Sequence, residues 1–334
     1  MPFIIWASAL LEGLSLTLIQ GFLPLYVRQS LGETHFLAVG AVVAVPALGT
    51  FLASNFWGGL SDVSGRLKPF ILVGLLGYLA ALVGYPFFRS PAAILLWAAA
   101  ALVAAHTALV AIGLRDYRRE PVARQSRGWL AGVAQDLASL YENPKLLAVC
   151  VLIFFLVAGN YITWGFFSVF FVEHLHASVR TLGIALGTSS ILGIALMPAV
   201  GPLIRRFGGH RMLAMGTTFY VVMYLGMAVT RNPIAIAALF AMPLYGTVNV
   251  SANSLAAQYS GRSQRGGGLG VLNGTYALAT IVGPLIGGWL ADRSGPGAIP
   301  WTSLVFAVIA SAIAWRTVAG ARSGAGETAI EPGT

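Results

Sequence analysis

Apolar positions along this chain do not alternate with polar ones. They continue for about 20 residues at a time, the length a helix needs to cross a hydrocarbon layer roughly 30 Å thick. Ten such runs are read at 3–27, 36–60, 70–88, 92–114, 147–172, 181–204, 212–230, 233–256, 267–291 and 300–318. Each predicts a spanning helix, because a helix satisfies its own backbone groups where water is absent. The first run has no positively charged leader and is too long for the apolar part of a signal peptide. It is therefore expected to be a retained span.

The polar intervals divide the chain. Residues 115–146 form the one long polar stretch, which separates a four-span half at 1–114 from a six-span half at 147–320 and leaves a tail at 321–334. Within the linker, Trp129, Val133, Leu137 and Leu140 recur at helical spacing beside Arg127, Gln135 and Asp136, which predicts an amphipathic helix on the membrane surface. A helix packed beneath the bundle would carry the same pattern. The tail, SGAGETAIEPGT after Arg322, is polar with Gly and Pro and is expected to be disordered.

Charge adds an orientation. Cytoplasmic loops are enriched in Lys and Arg. With the N-terminus inside, 15 of the 20 cations lie on the cytoplasmic side, and Arg28, Arg89, Arg180, Arg231 and Arg293 fall one to each opposite loop. Both termini are then cytoplasmic. The composition agrees: 57% of residues are hydrophobic, 9% are charged and the mean hydropathy is +0.80, which excludes a soluble enzyme or a disordered chain. The net charge of +9 comes from cations spread between apolar runs rather than clustered on one face, so no nucleic-acid partner is expected. The single cysteine, Cys150, lies inside a run and reads as a packed thiol.

An internal repeat links the halves. The loop after the second span, Gly58 to Arg66, aligns with that after the sixth, Gly201 to Gly209; both join small residues for a tight turn to cations at a span end. The first copy resembles the loop G-x-L-[AS]-D-R-x-G-R-[KR] of the major facilitator superfamily. Gly58, Leu60, Ser61, Asp62, Gly65 and Arg66 match, Val63 replaces the usual Arg, and Leu67 displaces the second cation to Lys68. In the second copy Arg205 stands where the Asp would be. Gly283, Pro284, Gly287 and Gly288 resemble the G-P-x-x-G-G kink of that family's fifth helix in each half, especially in its drug/proton antiporters. The resemblance implies an all-α integral membrane protein, a bundle of about ten transmembrane helices (4 + 6) in two pseudo-symmetric halves that rock about a midplane site. The family has six spans per half. The four-span first half therefore predicts that span 4 joins the start of the family's fourth helix to the end of its sixth, leaving one wall of the cavity short.

Few residues could carry chemistry in such a chain. Glu12 is the one acid deep in a span, roughly 15 Å from the cytoplasmic end at 1.5 Å per residue. A carboxylate at that depth is costly and points to proton coupling or a cationic substrate, against a permanently protonated, hydrogen-bonded Glu. His106 could relay protons, although a lone His on an Ala-rich helix is commonly a packing residue. Asn160, Trp164 and Ser168 on span 5, and Tyr245, Asn249 and Asn253 on span 8, form polar stripes at i, i+4, i+8. Such stripes face a cavity or bond neighbouring helices. The resemblance implies that spans 5 and 8 line the central site, with Gln20 on span 1 as a further substrate contact. It also implies that Gly58, Leu60, Asp62, Gly65, Arg66 and Lys68 latch the halves on the cytoplasmic side, with Val63 weakening the latch. Gly283, Pro284, Gly287 and Gly288 would kink their helix, or simply pack it closely.

Enzyme readings lack support. Glu12 has no facing acid for aspartyl catalysis, Gly13-x-Ser15 with His106 carries no further protease signature, and His174 and His176 do not share a helix face as metal ligands would. No Walker loop or HExxH occurs. The expected function is secondary transport of a small organic solute, proton-coupled and most like drug efflux, in a bacterial inner membrane, by a monomer without cofactor or metal. The alternatives are a transport-incompetent relative acting as a membrane sensor or interaction protein, and an importer of sugar or another metabolite.

Overall fold

The computed structural model describes residues 2–29, 31–49, 68–84, 91–113, 143–242 and 244–327. Among these the chain is a bundle of helices: α1 (Pro2–Gln29), α2 (Phe36–Gly49), α3 (Lys68–Gly84), α4 (Pro91–Gly113), α5 (Pro144–Val169), α6 (Val179–Phe207), α7 (Gly209–Val229), α8 (Pro233–Phe240), α9 (Leu244–Tyr259), α10 (Gly261–Ser294) and α11 (Ile299–Glu327). Each of the ten predicted spans contains helix among its described residues. Seven are long and apolar enough to cross a membrane, and α2 to α4 supply shorter apolar helices in the first half. The protein is an all-α integral membrane protein.

The predicted eighth span is two helices rather than one. α8 ends at Phe240 with Ala241 as its C-cap, Met242 N–H turns back to Leu239 O at 3.3 Å, and α9 begins at Leu244. The sequence reason is Pro243, which has no N–H to donate and disfavours a helical residue before it. Two other boundaries differ. α5 takes in Pro144 and Lys145 from the predicted linker because Asn143 caps it, accepting from Leu146 N–H at 3.1 Å. α11 runs on to Glu327, into the predicted tail, since extending an existing helix avoids the cost of nucleation. The predicted amphipathic linker helix around Trp129 lies outside the described residues, as do Gly58, Leu60, Asp62, Gly65 and Arg66 of the loop motif.

The tight turn expected after span 6 is a single residue. Gly208, at φ +83°, closes α6 and opens α7, and its N–H bonds Ile204 O at 2.8 Å. A side chain would be strained in that conformation.

The core centres on α5, which is buried along most of its length and packs against α10, α11 and α1. In the first half α1 packs on α4, and α4 on α3. Between the halves α1 meets α5 and α6, while α2 meets α10. The end of the bundle at which α1, α5 and α10 finish is here termed distal, and the end where the chain begins proximal.

The α1–α6 contact is an antiparallel ladder of small residues. Gly13 faces Ile194, Thr17 faces Ser190 and Gly21 faces Leu186, one helical turn apart on each side. Without small residues there the two backbones could not approach as they do.

Candidate functional site

Between α1 and the second half lies a cavity of about 420 Å³, within the range of small-molecule sites. α1 contributes Leu16, Thr17 and Gln20. α5 contributes Asn160, Tyr161 and Trp164, and α6 contributes Ser189, Ser190, Gly193 and Met197. Tyr220 and Met223 of α7, Phe240 of α8 and, beyond it, Met242, Tyr245 and Gly246 complete the wall. The break between α8 and α9 thus opens directly on the cavity. Among these lining residues there is no Asp, Glu, Lys, Arg or His.

Two hydrogen bonds cross from one half to the other in the wall. Trp164 Nε1–H donates to Gln20 Oε1 at 2.7 Å, and Thr17 and Ser190 pair through their hydroxyls at 2.7 Å. Trp164 also stacks on Phe240, with ring centroids 4.9 Å apart, and Phe240 stacks in turn on Phe167. Asn160 Oδ1 accepts from Tyr224 O–H at 3.1 Å. Ser189 donates to Phe240 O, and Thr17 and Ser190 also lie within reach of Gly13 O and Leu186 O, so that one of the two hydroxyls donates to its partner and the other to its own helix.

Of the predicted substrate contacts, the structure gathers Gln20, Asn160, Trp164 and Tyr245 at the cavity. Asn249 and Asn253 are not in its lining. Asn249 donates to Tyr245 O–H at 3.1 Å and Asn253 donates to Asn249 at 2.9 Å, so the stripe on α9 bonds along its own helix with only Tyr245 at the cavity end. Thr17, Ser189, Ser190 and Tyr220 and the three methionines are lining residues that the polar stripes did not single out. Ser189, Gly193 and Met197 do share one face at i, i+4, i+8, a small-residue signal in the sequence.

The two proposed proton groups lie apart from the lining. Glu12 is exposed, on the same stripe of α1 as Leu16 and Gln20 and one turn proximal to Leu16. His106 is buried on the face of α4 that also buries Ala100, Val103 and Val110 against the first-half helices. Lys68, the one predicted latch residue among the described residues, donates from Nζ to Ala111 O at 2.7 Å, tying α3 to the last turn of α4, where exposed carbonyls attract a cation.

Gly283, Pro284, Gly287 and Gly288 lie in a helix that continues through Pro284. They act as contact surfaces on two sides. A Cβ on Gly283 would meet Ala158 O of α5 at 2.6 Å, and one on Gly287 would press on Phe166 and Ile162. A Cβ on Gly288 would meet Phe36 O of α2 at 2.5 Å, while Gly40 of α2 lies against Pro284 O. Asp292, one turn further, accepts from the N–H groups of Phe36 at 2.6 Å and Leu37 at 2.9 Å, capping α2 with a carboxylate.

A second clasp stands beside it at the distal end. Arg28 pairs with Glu173 at 3.0 Å, donates to Thr34 O at 2.9 Å and covers the Phe36 ring at 4.1 Å. Glu173 belongs to a π-helical turn, Phe170–His174, that extends α5. From the level of the cavity toward the proximal side, by contrast, the side chains of Glu12 and of Ile191, Leu192, Leu196 and Met197 on α6 are exposed. The described contacts between the halves are therefore concentrated distally.

The sequence model of the Major Facilitator Superfamily matches residues 149–331, more than half of the chain. Among curated proteins, the multidrug resistance protein MdtG of Serratia proteamaculans (strain 568) is 42% identical over 79 residues, which are 22% of this chain and 19% of that one. The chain thus spans about a fifth of the length of the curated relatives it matches. Among solved structures, the human organic anion transporter MFSD10 (TETRAN) superposes with a TM-score of 0.66 at 16% identity, covering 93% of this chain and 98% of the other. A mutant of the nucleoside transporter NupG superposes with a TM-score of 0.61 at 15% identity, covering 95% and 99%. At these identities the likeness is one of fold.

Proposed function

The chain belongs to the Major Facilitator Superfamily, and on that footing we propose that it is a secondary transporter carrying a small organic solute by alternating access around the cavity between its halves. The observation that carries this is a neutral, aromatic cavity walled by both halves, with clasps between the halves concentrated at one end. The distribution of loop cations supports a cytoplasmic N-terminus; on that reading the distal end is external and its clasps close the conformation described to the outside. The partial likeness to MdtG supports proton-coupled efflux of a drug-like compound from a bacterial inner membrane. In that scheme a monomer operates and Glu12, at the cytoplasmic approach to the cavity, takes and releases the coupling proton; His106, inside a packing face, is the weaker candidate.

The test is solute-driven proton movement in proteoliposomes, read by a lumenal pH dye over a panel of small organic compounds, in the native protein, Glu12→Gln and Gly193→Trp. A Cβ on Gly193 meets nothing within 4 Å, so an indole there fills the cavity without displacing a helix. Proton movement that is lost in both variants is the expected result. Solute flux retained in Gly193→Trp refutes the site, and proton movement retained in Glu12→Gln refutes the proton role. A second reading, a relative that binds solute without moving it, draws on one observation: among the described residues the first half contributes only α1 to the lining. Binding without flux would favour it.

A further inference from the structure

The amide hydrogens that the cavity wall leaves unspent narrow what it binds. Indole Nε1–H can only donate, so the atom of Gln20 facing Trp164 is its carbonyl oxygen, and the amide NH₂ is left to the cavity. Asn160 is set the same way when Tyr224 donates to its oxygen. The hydroxyls of Thr17, Ser189 and Ser190 spend their protons on helix carbonyls or on each other. Tyr245 accepts from Asn249 and keeps its own proton to give. Among these groups the hydrogens left for a ligand are those of Gln20, Asn160 and Tyr245, while Thr17, Ser189 and Ser190 offer only oxygen lone pairs.

The remaining wall is aromatic and thioether: Tyr161, Trp164, Tyr220 and Phe240, with Met197, Met223 and Met242. Flat rings stack on such surfaces, and methionines adapt to their edges. A formal charge seated among these groups would meet no counter-charge, which costs several kcal/mol.

We infer that the cavity takes an uncharged, planar aromatic ligand bearing a hydrogen-bond acceptor, and that Gln20, held in register by Trp164, is the residue that reads the acceptor. This rests on the cavity being the solute site. Gln20 is also the first-half partner of a bond between the halves, so the group that reads the ligand is attached to the seam that must part during transport. A ligand acceptor on the Gln20 NH₂ leaves the Trp164 bond intact and adds to the contacts holding α1 against α5.

The experiment is equilibrium binding to the purified full chain by scintillation proximity with tritiated 9-fluorenone, displaced by three unlabelled competitors. These are 9-fluorenone itself, fluorene, which keeps the tricycle and lacks the carbonyl, and 10-methylacridinium, which is planar and cationic. The native protein is expected to prefer fluorenone over fluorene by about five- to ten-fold, the worth of one hydrogen bond. Gln20→Glu keeps an acceptor for Trp164 but turns a carboxylate toward the cavity. It is expected to erase the preference and to tighten 10-methylacridinium about ten-fold. Trp164→Phe keeps an aromatic ring in the stack and frees the Gln20 amide to rotate, and should reduce the preference for fluorenone over fluorene about two- to three-fold.

A native protein that does not bind fluorenone, or binds it no better than fluorene, overturns the inference, as does a preference that survives Gln20→Glu. Binding that persists in Gly193→Trp lies outside the cavity and overturns the site reading as well. Binding lost in Gly193→Trp but indifferent to the carbonyl overturns the ligand class alone and leaves the site standing.

Discussion

Two glycines five residues apart on α10 give a test of what holds the halves together. Alanine at Gly288 would set its Cβ 2.5 Å from Phe36 O and 2.8 Å from Leu37 Cα, both backbone atoms of the opposite half. Alanine at Gly283 would set its Cβ 2.6 Å from Ala158 O, a backbone atom of its own half. Neither clash can be relieved by a side-chain rotation, so each costs about 1–3 kcal/mol of overpacking. At Gly288 the same displacement pulls Phe36 and Leu37 from Asp292, weakening two bonds to a charged group worth about 1.5–3 kcal/mol each in place. The overpacking alone shifts the ratio of distally open to distally closed protein about 5- to 150-fold. Gly288→Ala should therefore open the distal end, and Gly283→Ala should lower thermal stability without opening it. The assay is pulsed electron–electron distance measurement between spin labels at Leu31→Cys and Ile234→Cys, both exposed distal positions in opposite halves. The one native cysteine, Cys150, is buried and is replaced by Ala as a precaution. A longer distance in Gly288→Ala and an unchanged one in Gly283→Ala is expected. Identical distributions in both, or opening in Gly283→Ala alone, would show that the α2–α10 seam does not control distal closure.

Three further outcomes follow from the same contacts. Arg28→Gln removes the Glu173 pair and the cation over Phe36, and should raise the distally open fraction about two- to five-fold in the same distance measurement, less at high salt. Asn143→Ala loses the α5 cap and the bond from Nδ2 to Tyr259 O, and should destabilise the fold by about 1–2 kcal/mol, read as a lower Tm. Asn160→Ala should weaken solute binding, whereas Asn253→Ala, which disturbs only the chain of bonds along α9, should leave affinity within about two-fold.

The spans were legible because a membrane demands an unbroken length of apolar sequence, and each of the ten lengths holds helix, the eighth as two pieces. The break at Ala241 was not, since the apolar run passes through Pro243 without a polar mark. At the site, Gln20, Asn160, Trp164 and Tyr245 could be picked out because amides and aromatic N–H and O–H groups need partners in lipid. Thr17 and Ser190 could not, because a hydroxyl in a helix can bond the carbonyl one turn back, which lies within reach of each, and so leaves no sign of a partner across the bundle. Methionine is as apolar as its neighbours and is silent for the same purpose. Asp292 reads as an ordinary acid at a span end; its partners are 255 and 256 residues away in the chain, a distance no local pattern reaches. The Gly-Pro motif pointed to the right helix, but its glycines answer to the backbones of α2 and α5, which only the packing reveals.

The two bonds that join the halves at the level of the cavity, Trp164 to Gln20 and Thr17 to Ser190, are between neutral groups. Carrying one elementary charge through a potential of 100 mV involves about 2.3 kcal/mol of electrical work, and breaking or remaking these bonds involves none. If the solute is uncharged and Glu12 carries the coupling proton, as proposed above, the potential across the membrane acts on the cycle through that proton. The voltage dependence of transport would thus be a direct count of protons per turnover, one for each unit of charge, and would fall to zero in a protein whose Glu12 no longer ionises.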